Sequence, residues 1–147
     1  MKTFTFSVIL FVSAFTGQNV LGQATQRVRP DFQHGDIVTS NTGRMDGELG
    51  IASEANSDNL VGVYNESTQI SNIPNILISG IAYVKFDHSN GEVLRGDFIA
   101  SSNAQGKGMK TNSAGMIIGV ALESSTPSTS LLKILVQPSW TIPANAN

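Results

Sequence analysis

The chain contains no cysteine, so neither a disulfide nor a cysteine-based metal site contributes to its stability or chemistry. Histidine is scarce: His34 and His88 are the only two. That is too few ligands for a structural zinc site, and it confines any imidazole base to two positions. Charge is sparse and nearly balanced, with 9 Lys+Arg against 11 Asp+Glu. A chain of this kind lacks the basic surface that nucleic acid requires and the charge excess of a disordered protein. Recognisable catalytic motifs are missing as well. Ser101-Ser102 is not set in a G-x-S-x-G elbow, and Gly106-Lys107-Gly108 has neither Walker spacing nor a helical continuation. Asp46, Glu48, Glu54 and Asp58 do not follow the spacing of a calcium loop. We therefore expect no catalytic residue, no metal and no cofactor, and a protein that is not an enzyme.

What is present points to short strands and many turns. The 147 residues leave room for one domain, and 14 glycines occur without a collagen-like period among runs of Ser, Thr and Asn. Such a composition supplies the positive-φ positions of tight turns. The expected fold class is all-β, a compact barrel or sandwich.

The beginning of the chain reads as a signal peptide over residues 1–22. Lys2 gives a positive start, an apolar stretch follows, and Val20-Leu21-Gly22 offers small or compact residues for cleavage. The apolar stretch of about 14 residues is shorter than the ~20 that a spanning helix requires. This implies a secreted or cell-surface protein with no stable membrane span after cleavage. Residues 23–34 carry no periodic apolar face and read as an extended arm, with Val28 and Phe32 as the anchors by which it would dock on a neighbouring subunit. The β domain is expected over residues 35–137. Pro138, Trp140 and Pro143 are expected to end strand structure and leave residues 138–147 as a tail, with Trp140 packed over the end of the barrel.

Two stretches of the domain match each other. Gly35-Asp36-Ile37-Val38-Thr39-Ser40 corresponds to Gly96-Asp97-Phe98-Ile99-Ala100-Ser101, and the apolar run around Gly62 corresponds to the one around Gly119. The glycines of Gly35-Asp36 and Gly96-Asp97 suit positive φ, and their aspartates can cap nearby backbone N–H groups. Gly62 and Gly119, inside strands, mark places where another backbone passes close. We read the domain as two related Gly-Asp units. The long polar segment of residues 42–59 is either a binding surface, with Arg44, Asp46 and Glu48 as candidates, or a hairpin with short strands of its own. Residues 76–86 form the longest strand candidate, with Ile76, Ile78, Ala82, Val84 and Phe86 on its core face. Asn90-Gly91 then predicts a type I′ hairpin returning along residues 92–95.

Taken in order, Gly-Asp, Val-Gly-Val, GEVLRGDFIASS, GKGMK and IIGVALE over residues 35–136 resemble small β modules of phage head-decoration proteins and bacterial tail-fibre-like surface proteins. The resemblance implies a trimer-forming or surface-decorating piece. Related appendages include self-cleaving peptidases, but no nucleophile and base of that kind can be matched onto this chain. The expectation is a structural subunit of an extracellular assembly, acting as a homo-oligomer. The alternative is a monomeric module that binds a glycan or a cell-surface partner through residues 42–59, with Trp140 as an aromatic platform.

Overall fold

The computed structural model describes residues 30–40, 48–66 and 75–144. Short apolar runs rich in Ile and Val, broken by Gly, Asn and Ser, suit pleated strands far better than helices. Nine strands form among the described residues: β1 (Ile37–Ser40), β2 (Leu49–Ile51), β3 (Leu60–Tyr64), β4 (Ile76–Leu77), β5 (Gly80–Lys85), β6 (Phe98–Ser101), β7 (Gly108–Lys110), β8 (Gly115–Ala121) and β9 (Leu131–Thr141). One 3-10 turn, His88–Asn90, accompanies them. The fold is all-β, in two antiparallel sheets ordered β2-β1-β3-β4 and β5-β9-β8-β6-β7.

The five-stranded sheet curls until its edges meet. Phe86, just past β5, makes a parallel bridge with Gly108 of β7, and Asp87 N donates to Gly108 O at 2.8 Å. Gly35 ties the smaller sheet to this seam, donating to Tyr64 O and accepting from Lys85 N, both at 3.0 Å. Strand alternation fills the space enclosed. Val84, Ile99, Leu132, Ile134 and Val136 point inward with Ile37 and Val63 of the smaller sheet, and all are essentially inaccessible to water.

The two Gly-Asp corners make the same local contacts. Gly35 and Gly96 adopt φ of 86° and 97°, a region in which a side chain would be strained. Each aspartate closes a tight turn: Asp36 Oδ2 accepts from Gln33 N at 2.8 Å, and Asp97 Oδ2 accepts from Leu94 N at 2.9 Å. In the strands that follow, Val38 faces Gly62 and Ile99 faces Gly119. A Cβ on Gly62 would fall on the Leu77 carbonyl oxygen, and one on Gly119 on the Leu135 carbonyl oxygen. Both glycines are therefore required by close passage of the adjacent backbone.

Several expectations from the sequence are corrected. Residues 76–86 do not form one strand: β4 pairs with β3, β5 pairs with β9, and Gly80 turns the chain between the sheets with φ 116°. Ile78 lies in that corner and is 63% exposed instead of facing the core. Asn90-Gly91 does not make a type I′ hairpin. Of the described non-glycine residues only Asn56 has positive φ, so Asn90 does not adopt the left-handed conformation such a turn needs. Asp87 caps a 3-10 turn there, with Gly91 at φ 90° closing it. Residues 92–95 form no strand; Ser125 Oγ accepts from Val93 N at 2.9 Å and Ser124 Oγ from Arg95 N at 3.1 Å. β5 is already paired by β9, which holds it over six residue pairs.

Pro138 does not end the strand either, because β9 continues to Thr141. The register with β8 shifts between Ile117 and Gly119, so Gln137 and Pro138 together oppose Ile118 in a bulge. Pairing with β5 stops at Val136, and a proline beyond that point displaces no ladder hydrogen bond on the β5 side. Trp140 consequently stands in a strand opposite Met116 and is 66% exposed, not packed over a barrel end. The segment 42–59 contains β2, which joins β1 in the manner of a hairpin.

Candidate functional site

Among the described residues, the outer face of the five-stranded sheet departs most from an ordinary soluble exterior. Along β9, Leu132, Ile134 and Val136 are buried while Leu131 and Leu135, on the alternate positions, are about 40% exposed. Leu135 stands opposite Ile81 of β5 on one side and Val120 of β8 on the other, and Val120 stands opposite Phe98 of β6. One apolar row thus crosses four strands. Tyr83, opposite Lys133, extends it. Ile81 is 59% and Tyr83 44% exposed. With Leu131 and Leu135 they form a contiguous set of exposed apolar side chains, and the largest such patch on a monomer is often a functional surface. Lys133 puts one charge among the leucines. Its stem can lie along apolar surface while its ammonium reaches water.

Where Gly35 meets the end of β5, Asp36 and Lys85 form an ion pair. Asp36 is buried, and its Oδ1 lies 2.7 Å from Lys85 Nζ. Lys85 Nζ also donates to Gln33 Oε1 at 2.8 Å. A cleft of about 160 Å³ opens beside this pair, lined by Asp31, Gln33, Asp36, Ile51, Lys85 and Gln105. Its buried carboxylate is already matched by the lysine. We assign the cleft no ligand.

The other candidates from the sequence lie apart from this face or outside the described residues. Val28, Arg44 and Asp46 fall outside the described residues. Phe32 stacks on Tyr64 of its own chain, with ring centroids 5.6 Å apart, so the described end of the arm docks at home. Glu48 is half-buried just before β2. Ser101 and Ser102 are fully buried; Ser101 Oγ donates to the Glu54 carbonyl at 2.8 Å and accepts from Ser57 N at 2.9 Å. Among the described residues no cluster of three or more His, Cys, Asp or Glu could hold a metal, and no helix is long and apolar enough to cross a membrane.

Both histidines lie in turns, partly open to water, and each holds a hydrogen bond to distant backbone. His34 Nδ1 accepts from Glu66 N at 3.3 Å. His88 has both ring nitrogens occupied, Nε2 by the Thr129 carbonyl at 2.7 Å and Nδ1 by Glu92 Oε1 at 2.9 Å. Hydrogen bonds to the Thr129 carbonyl and then to Glu92 raise the His88 pKa above its ordinary value. The Glu92 pKa is lowered, chiefly by the hydroxyl of Ser125 and, against a cost of burial, by His88. At Asp87 burial is the largest influence and acts upward, yet hydrogen bonds from Ser89 and Ser102 bring the net shift below the ordinary value. Ser125 Oγ bonds the far oxygen of Glu92, not the imidazole, so the three do not form a nucleophile-base relay. Sequence spacing hides this cluster because His88 and Thr129 are 41 residues apart.

No family model and no curated protein matches the chain.

Proposed function

We propose that the chain is a secreted structural subunit that associates with copies of itself through the outer face of β5 and β9. The apolar row from Ile81 across Leu135 to Val120 carries this reading. An interface of standard size takes about 800 Å² from each partner, so this row supplies a central part of one and leaves the rest to a polar rim. A second copy is the economical occupant because a module without disulfides gains stability when like faces bury each other. The matching contacts at Gly35-Asp36 and Gly96-Asp97 support a further element of the proposal, that the domain consists of two related β units. Export rests on the composition of residues 1–22, and a non-enzymatic role on the internal bonding of Ser101, Ser102 and His88.

Sedimentation velocity on the protein and on an Ile81→Lys, Leu135→Lys double variant tests the reading. Both positions already face water, so the variant is expected to keep its β circular dichroism while its higher-order species disappear. Unchanged assembly in a folded variant would remove this face from the proposal. One observation favours a second reading, in which the chain is a monomeric glycan-binding module: the indole of Trp140 is open to solvent, as sugar stacking requires. Retention on a glycan array that is lost in Trp140→Ala would support it.

A further inference from the structure

The seam that closes the larger sheet is flanked by an acid-base cluster outside the proposed interface. Phe86 N donates to Ser130 O at 2.9 Å, and Asp87 N donates to Gly108 O. The His88 ring lies edge-on to the Phe86 ring, with centroids 4.7 Å apart. From the 3-10 turn His88 reaches the loop of residues 124–130 through the Thr129 carbonyl, and it reaches Glu92 on its own segment. Glu92 in turn accepts from Ser125 Oγ, and Ser125 is joined to Val93 by Val93 N to Ser125 Oγ and Ser125 N to Val93 O. Val93 is completely buried. One imidazole therefore ties its own segment, residues 86–93, to the 124–130 loop beside a core side chain.

A carbonyl oxygen and a carboxylate can only accept hydrogen bonds, so both His88 nitrogens must donate, which is possible only for the imidazolium. We propose that His88 is a pH-sensitive clasp: when protonated it ties the Thr129 carbonyl of the 124–130 loop to Glu92 through two donated hydrogen bonds, and when deprotonated it keeps only one of them and the clasp loosens. The charged groups facing it are Asp87 and Glu92 from its own segment. On the β7 side, Lys110 is turned to Asp97 Oδ2 at 3.1 Å, and Lys107 acts on Asp87. The 124–130 loop offers only neutral Ser, Thr and Pro side chains. A histidine whose pKa is raised by folding stabilises the fold at pH below its ordinary value of about 6.5, and that contribution is lost as pH rises through the folded value. Glu92, shifted the other way, sets the acid limit: its contribution is lost as pH falls through its own folded value.

The test compares thermal midpoints of the full chain, His88→Gln and Glu92→Gln across about pH 5 to 9, with the His88 ring followed by NMR. The stability advantage of the native chain over His88→Gln is expected to be largest near pH 6 and to shrink on the alkaline side, where the neutral ring keeps a single donor. The His88 titration midpoint is expected to lie above that of the unfolded chain and to fall in Glu92→Gln. A constant advantage at every pH, or a midpoint at or below the unfolded one, would overturn the clasp. The ring titration in the native chain and in Glu92→Gln decides the matter even if His88→Gln does not fold.

Discussion

Two corners of the same chemistry but unequal burial give a sharp mutational contrast. Asp36 and Asp97 each accept a hydrogen bond from the backbone N–H three residues earlier and each contacts a lysine. The Asp36 side chain is only 4% exposed and its lysine 25%, against 29% and 25% for Asp97 and Lys110. Gly106 lies directly against the Asp36 carboxylate, its missing side chain giving the carboxylate room. Asp36→Ala removes a charge-assisted bond to Gln33 N and leaves Lys85 with Gln33 Oε1. Bonds to charged groups contribute ~1.5–3 kcal/mol each, and partial solvation of Lys85 returns some of that, so the expected loss is about 2–4 kcal/mol. At Asp97 water replaces most of what is removed, and the expected loss is about 0.5–1.5 kcal/mol. Urea denaturation of the two variants measures both. Equal losses, or a larger one at Asp97, would refute the claim that burial separates the two corners.

Other substitutions test the packing. Gly119→Ala should cost about 2–4 kcal/mol in urea titrations, because the added methyl meets the Leu135 carbonyl in a strand held on both sides. Ser125→Ala should cost about 1–2 kcal/mol by leaving Val93 N–H without its acceptor, and amide exchange at Val93 should quicken. Trp140→Ala should change stability by no more than about 0.5 kcal/mol, since the side chain is mostly in water. Ile134→Ala, in the same strand but fully buried, should cost about 2–5 kcal/mol.

The features legible in the sequence were those fixed by local chemistry. Gly35-Asp36 and Gly96-Asp97 announced turns because glycine and aspartate satisfy that backbone wherever the rest of the chain lies. Residues 131–136 carry a local strand signal too, for their alternate positions are buried as a pleat requires. What stayed hidden depends on partners far along the chain. Asn90-Gly91 looked like a hairpin because sequence does not reveal that β9 takes β5 as its partner. Pro138 looked like a terminator because its place beyond the end of β5, at a bulge, is a property of the sheet. Asp36 and Lys85 are 49 residues apart, and nothing local pairs them. The outer face is half visible: strand alternation puts Ile81 and Tyr83 on the side away from the core residues Ala82 and Val84, but only the folded sheet shows that they line up with Leu135 and lie open to water.

The most direct measurement of the proposed self-association is the mass of the protein by light scattering across a concentration series. A mass that settles at a defined multiple of the chain is expected, with the multiple falling to one in the Ile81→Lys, Leu135→Lys variant. A monomer at every concentration would contradict the proposal.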